Sequence, residues 1–436
     1  MSYFHLNLIL KGKLTVCCLL MLSVIPLNAQ REAKQIGDFK ESISLNEHLR
    51  GTKRTLQYCP DGDEFVCVNG KNRYTRALYG SHSPFRVETS DRPVFAFYNN
   101  GRGGNISFKV ILRDGTELAL DRTGYCESRY SAGKRTYYLT DPSWGKGELR
   151  ISVLALADMD GAIWRFSPSN MPKGAILRWQ HGGATGKRLS RNGDMGVDPA
   201  DCFELPAEAT DLVTGELALQ KEVYLVRGEV PEGYNVRKLY QQAEAASLAL
   251  ASHLKIETPD PYLNTLGGAL VAAADGIWDG QVWLHGAIGW RMPLSGGRAG
   301  YTGDALGWHD RARTHFDAYA ASQVTDVPNT IPHPAQDSTM NLARSEKRWG
   351  TPQYSNGYIC RNPERNNQMH HYDMNLCYMD ELLWHFNWTG DTAYVRKMWP
   401  MITRHLAWEK LNYDPDNDGL YDAYACIWAS DALYYN

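Results

Sequence analysis

The chain has 436 residues, 43% of them apolar and 22% charged, and carries a formal net charge of −3. That length exceeds what one domain usually holds and sets an expectation of roughly two to three domains. The composition is that of a globular protein, and no basic stripe alternates with aromatics, which excludes the electrostatic footprint of a nucleic-acid binder.

Aromatics are the unusual entry in the composition, with 13 Trp and 25 Tyr against 11 Phe. Indole and phenol rings join a flat apolar face to a polar edge. They suit a groove that holds sugar rings as well as ordinary core and rim packing.

At the N-terminus Lys11 and Lys13 precede an apolar run over 14–22, and the stretch closes on Leu27-Asn28-Ala29 before Gln30. A positive start, a short apolar middle and a small residue at the cut describe a secretory signal peptide over 1–29. The run is too short for a membrane span. Val16 or Cys17, rather than a small residue, precedes the cysteines at 17 and 18, so cleavage after Ala29 is preferred to lipidation. The expected location is periplasmic or extracellular, with no membrane span once the signal is removed. Cys59, Cys67, Cys126, Cys202, Cys360, Cys377 and Cys426 then remain. Their number is odd and no C-x-x-C pair occurs, which fits neither a disulfide framework nor a zinc ribbon. Cys59 and Cys67 could close a small loop or stay as buried thiols.

From 57 to 228 the pattern is β. Strands are predicted at 93–98, 105–112, 117–120, 136–140, 148–157, 162–166, 175–180 and 217–226. Asp114-Gly115, between the second and third, is a hairpin signal. Many strands with turn residues between them predict an antiparallel β-sandwich, assigned to 30–230. Val236, Leu239, Tyr240, Ala243, Leu250 and Leu254 then fall on one helical face, giving a helical linker over 231–260 that must pack on something else. Helices are predicted at 263–278 and 304–323. Tyr372, Leu376, Met379, Leu383 and Phe386 mark a third by their spacing. Asp391 is placed as the cap of a fourth over 392–399, continuing past a kink at Pro400 to 411. The loop over 324–367 is longer than compact domains usually carry, as functional loops often are.

Three stretches of the helical half carry candidate chemistry. The first is Trp290-Arg291-Met292-Pro293 followed by Gly297-Arg298-Ala299-Gly300-Tyr301-Thr302-Gly303-Asp304, with Trp308 just beyond. Its glycines let a loop approach a ligand closely, and Asp304 at a helix start is suited to gripping hydroxyls or to capping. In the second, Asp414, Asp416 and Asp418 alternate before Gly419, as at the opening of a calcium loop. Ala425 stands where a bidentate glutamate would close it, so an Asx-type turn is the other reading. The third is Ile427-Trp428-Ala429-Ser430-Asp431. His370 and Asp373 lie three apart with no third ligand at useful spacing, so a satisfied histidine is the plainer reading. Asp373 and Glu381 could line a cavity, but Asp380 and Glu381 are expected to face solvent instead.

These segments, over 262–436, resemble glycoside hydrolases of the six-hairpin α/α toroid type, notably the α-L-rhamnosidases and glucosidase I-like enzymes. The order sandwich, helical linker, helices is similar to theirs, and the signal end resembles that of exported polysaccharide-utilisation proteins of gut Bacteroidota. The resemblance implies a multidomain β + α fold with the first hairpins of an incomplete toroid at 261–436, either a fragment of a longer gene product or helices folded back on the sandwich. It implies an inverting glycoside hydrolase acting on a complex polysaccharide or oligosaccharide, with Asp431 and Asp304 as catalytic carboxylates and a second acid from later hairpins. Trp290, Arg291, Arg298, Tyr301, Trp308, His371 and Trp428 are the implied substrate-binding residues. No cofactor is required, with Ca2+ an optional ligand of Asp414, Asp416 and Asp418. Gly297 stands where rhamnosidases carry a glutamate. The alternatives are a polysaccharide lyase, which would draw on Tyr301, His309, His371 and Arg298, and a non-catalytic glycan-binding protein.

Overall fold

The computed structural model describes residues 57–72, 75–99, 102–182, 212–230, 232–286, 292–325, 330–332, 352–354, 356–364, 372–414 and 416–421. The first half is built from β1 (Cys59–Asp61), β2 (Glu64–Val68), β3 (Arg76–Leu78), β4 (Arg86–Thr89), β5 (Phe95–Asn99), β6 (Arg102–Ile111) and β7 (Glu117–Ala119). It continues with β8 (Tyr125–Ser131), β9 (Lys134–Thr140), β10 (Glu148–Ala155), β11 (Gly161–Ser169), β12 (Ile176–Gly182), β13 (Val213–Ala218) and β14 (Val223–Gly228). One antiparallel sheet runs β1-β2-β8-β9-β10-β11-β14; the other runs β13-β12-β6-β5-β4-β3, with β7 paired to β6.

Alternation decides which side chains meet between the sheets. Leu149, Ile151, Val153 and Ala155 of β10 and Ala162, Trp164 and Phe166 of β11 all join the shared core. There Trp164 meets Phe95 at 5.6 Å and Phe97 at 5.7 Å, ring centre to ring centre. The Asp114-Gly115 signal forms its hairpin, with Gly115 at φ 87° and β6 paired to β7. The expected strand at 217–226 is instead two strands, β13 and β14, separated by a turn at 219–222. That turn is made by Leu219-Gln220-Lys221-Glu222 without glycine or proline, so the apolar alternation on both sides ran together in the sequence.

Helix α1 (Val236–Ala251) lies on the outer face of the first sheet, where Leu239, Tyr240 and Ala243 pack with Leu154, Leu156 and Ile163. Helix α2 (Pro261–Gly276) is capped by Asp260, which accepts from the Tyr262 backbone N–H. It spans two cores: Tyr262, Leu266 and Ala269 lean on the sandwich, and Val271 and Ala274 enter the helical core.

Beyond α2 come a two-stranded pair, β15 (Leu284–His285) and β16 (Met292–Pro293), and then α3 (Gly300–Ala305) and α4 (His309–Ala321). A second small pair, β17 (Thr330–Pro332) and β18 (Pro352–Tyr354), precedes α5 (Tyr372–Thr389) and α6 (Thr392–Tyr413). The helix expected over 304–323 is broken at Gly307, whose φ of 74° favours glycine. Asp391 caps α6 as expected, and α6 continues through Pro400 as one helix. The molecule thus joins antiparallel sheets to packed helices. Among the described residues the helices do not close a ring, and α5 and α6 leave Leu376, Leu383, Trp384, Trp388, Trp399 and Leu406 exposed.

Candidate functional site

The run from Leu294 to Asp304 lies flat against α5 and parallel to it. A Cβ on Gly296 would collide with the Met374 carbonyl oxygen and stand 2.6 Å from Cys377 Cβ. One on Gly300 would meet the carboxyl of Glu381, and one on Gly303 would meet the Trp283 ring. The glycines are therefore needed for contact with the helix and its neighbours, a packing reason distinct from the ligand approach that the sequence proposes. Arg298, exposed and at φ 59°, turns the chain over Glu381.

Asp304 sits in the last turn of α3, only 4% exposed, and α3 starts at Gly300 with no side-chain cap. The N-cap and helix-start readings of Asp304 are thus both corrected. Its carboxylate accepts from His309 Nδ1 at 2.7 Å and from His385 Nδ1 at 2.9 Å. One buried carboxylate so ties α3, the first residue of α4 and the last-but-one turn of α5. The helices around it fix its place along the fold. His385 stacks edge-on with Tyr394 in the first turn of α6, whereas Asp414 follows that helix's last residue. At 1.5 Å per residue the two ends of α6 are about 30 Å apart. Asp304 is therefore remote from the 414–418 loop, and among the described residues its carboxylate is buried against two histidines.

Glu381 is the titratable group in this region that the sequence placed wrongly. It is buried at 1% exposure, against the solvent-facing alternative. Burial, opposed in part by the backbone and guanidinium of Arg298, pushes its carboxyl up to about 8, so it holds its proton at neutral pH. Tyr301 donates to the neighbouring Asp380; burial first, and then Asp380, drive its phenol upward. Deeper in, His315 accepts from the Trp283 backbone N–H at 3.2 Å, and burial lowers its imidazole to about 3. Trp308 is a core residue, wedged between Arg311 at 4.4 Å and His253 at 5.4 Å, where the resemblance implies a substrate-binding residue.

At the far end of α6, one carboxylate oxygen from each of Asp414, Asp416 and Asp418 lies within 4.8 Å of the others. The loop also has the Asx-turn bonds of the plainer reading: Gly419 N–H to Asp414 at 3.3 Å and Leu420 N–H to Asp418 at 2.8 Å. Three hard oxygen donors fit a divalent cation such as Ca2+ without filling its shell. Beside the loop, Glu409 joins His405 Nε2 at 2.7 Å and accepts from Tyr421 at 3.1 Å.

Trp290, Arg291, His371, Trp428 and Asp431 lie outside the described residues. The sequence missed the Asp304–His309–His385 cluster. Its signal was present: His385 is four residues from Glu381 and seven from Tyr378, on the buried face of α5.

Three comparisons bear on these features. A model described as "Domain of unknown function (DUF4450)" matches residues 100–230, the part of the sandwich from β6 to β14. No curated protein matches the chain. Among solved structures it is similar to a bacterial glucoamylase complexed with acarbose, at 10% identity and a TM-score of 0.39, over 61% of this chain and 55% of that one. The chain thus spans about half the length of that glucoamylase.

Proposed function

We propose that this protein is an exported glycoside hydrolase acting on a complex polysaccharide or oligosaccharide, inverting, with two carboxyl groups. The observation that carries the reading is Glu381: a buried carboxyl that keeps its proton at neutral pH, one backbone layer below the surface where Arg298 is exposed. A glycosidase acid must be protonated at working pH, and burial is the usual means of achieving it. Glu381 supplies that proton in our reading, while Asp431 remains the candidate partner carboxylate and Trp428 its aromatic wall. Inversion would need the two carboxyls about 6.5–9.5 Å apart. Arg298 is the substrate-side residue that the geometry best supports. Trp290, Arg291 and His371 stay in the proposal on the resemblance alone. Asp414, Asp416 and Asp418 would hold Ca2+ as a structural ion, and the signal peptide would carry the protein to the periplasm or the exterior.

The setting of Tyr301 weighs against the lyase alternative. A lyase tyrosine must give up its proton readily, and the bond from Tyr301 to Asp380 makes that harder.

The test is a polysaccharide panel read for new reducing ends and for ultraviolet-absorbing unsaturated products. We expect reducing ends only, and a loss of about 100- to 10,000-fold in kcat for Glu381→Gln with the fold intact. Unsaturated products, or a Glu381→Gln variant as active as the parent, would overturn the reading.

A further inference from the structure

Where the sandwich meets the α1–α2 hairpin, the described residues enclose a cleft of about 360 Å3. One wall is made by Asp63 in the β1–β2 turn and by Ser131 and Ala132 at the β8–β9 turn. The other is the second half of α1, the stretch 252–256 and the first half of α2. The two walls are tied together. Ser247 of α1 donates to the Ala132 carbonyl, and Thr265 of α2 donates to the Gly62 carbonyl at 3.0 Å. Lys134 of β9 pairs with Glu244 of α1 at 3.0 Å. The loop between the helices is braced as well, because Asn264 accepts from the Thr258 N–H at 2.7 Å and donates to its carbonyl at 2.9 Å. The cleft is therefore pre-formed, as ligand sites usually are.

Small residues set its floor. A Cβ on Gly268 would stand 2.9 Å from Ala132 Cβ and 3.2 Å from Ala251 Cβ, so the helices close on the sandwich turn at the base. Ala132, Ala251 and Ala269 leave a floor of methyl groups. Charges of both signs stand around it. Lys134 and Glu244 lie inside, with side chains 18% and 28% exposed, and Asp63 and Lys255 are exposed at the mouth. An ion matches one of those signs and is repelled by the other. A hydroxyl both donates and accepts, so it bonds a carboxylate and an ammonium at once. The rim thus fits a neutral, hydroxyl-rich ligand, and the methyl floor fits the C–H face of a sugar ring. The volume lies at the small end of ligand sites, roughly 300–1,000 Å3, which suits one or two rings rather than a long chain.

We infer that the cleft between the sandwich and the α1–α2 hairpin binds a neutral mono- or disaccharide, whose hydroxyls bridge the carboxylates of Asp63 and Glu244 and the ammonium groups of Lys134 and Lys255. That the hydroxyl-rich ligand is a sugar rests on the proposed carbohydrate function. The cleft and its two-signed rim rest on the residues named here, none of which belongs to the surface over Glu381.

The experiment is calorimetric titration of the full chain with maltose, cellobiose and lactose, and with glycine betaine as a zwitterionic control. We expect at least one disaccharide to bind with a Kd of about 1 mM or tighter, and betaine not to bind. Asp63→Asn combined with Lys255→Met should weaken that binding about tenfold or more, and Ser252→Trp, which fills the cleft, should abolish it. Without sugar, the paired variant should melt like the parent, since both of its positions are exposed. No binding of any of the three disaccharides, betaine binding as tightly as they do, or a paired variant that binds like the parent would overturn the inference. Reducing-end release is assayed separately. The cleft variants should keep the parent's hydrolysis, and a chain without hydrolysis leaves the binding result standing.

Discussion

At the residue scale, two buried groups titrate in opposite senses. Glu381 has a folded-state value of about 8 against 4.5 for an ordinary glutamate. Between those values the folded chain holds a proton that the unfolded chain has released. Its contribution to stability is therefore full below pH 4.5 and is lost as pH rises through 8, by about 1.4 kcal/mol per pH unit. His315, at about 3 against 6.5, behaves in reverse. The unfolded chain binds that proton first, so the contribution is full above pH 6.5 and is lost as pH falls toward 3. Between 4.5 and 6.5 the two slopes oppose each other. Denaturant midpoints are expected to form a plateau there, falling on both sides. Glu381→Gln should keep the acidic fall and flatten the alkaline one. A variant that still loses stability above pH 6.5 as steeply as the parent would contradict the buried, protonated glutamate.

At the scale of elements, the contact between the 294–304 run and α5 makes a paired prediction. A methyl at Gly296 would meet backbone on α5, including the Tyr378 nitrogen at 2.8 Å, which cannot give way. Gly296→Ala is expected to cost about 3 kcal/mol. Gly297, whose nearest neighbour would be 3.5 Å away, should accept alanine within about 0.5 kcal/mol. Chemical denaturation distinguishes the two, and equal costs would mean that the run does not lie where it is described. The same contact explains what the sequence could and could not convey. Periodicity located α5 but caught its buried face only in part: Met379 is buried and Phe386 packs on the core, whereas Leu376 and Leu383 of the expected stripe are exposed and Asn375, Tyr378, Glu381 and His385 are buried. A helix apolar on nearly every side gives no contrast for a hydrophobic stripe. Its buried face was chosen by polar partners that are distant in sequence: Asn375 with Ile359, and His385 with Asp304. The sandwich was legible because alternation needs only neighbouring residues, and the Asp114-Gly115 and Asp391 signals are equally local. Asp304 stood out in the sequence by its place after a glycine-rich run. Its role was not legible, since both its histidines are placed by tertiary packing.

For the molecule as a whole, α2 is the member shared by both cores, and Asp275 at its end secures the junction. Asp275 accepts from His82 of the sandwich at 3.2 Å and from Arg311 of α4 at 2.7 Å. Burial alone would raise its pKa, but these two partners more than offset it and hold it low. Asp275→Asn leaves the Arg311 guanidinium facing a neutral amide and should cost about 1–3 kcal/mol. Because the lost bonds join the halves, calorimetry should show the sandwich and the helices melting less cooperatively than in the parent. A single transition as sharp as the parent's would mean that the α2 packing alone couples them.

The sandwich also contains sulfur in an unreactive form. Cys67 and Cys126 are buried free thiols on adjacent strands, β2 and β8. Burial, with Asp91 nearby, pushes Cys67 up to about 11; burial pushes Cys126 up to about 12. At neutral pH roughly one Cys126 in a hundred thousand is ionised, and only the ionised form attacks peroxide or a foreign disulfide. Cys67 and Cys126 can therefore meet an oxidising compartment unscathed, shielded by the same dense interior that keeps water away from Trp164.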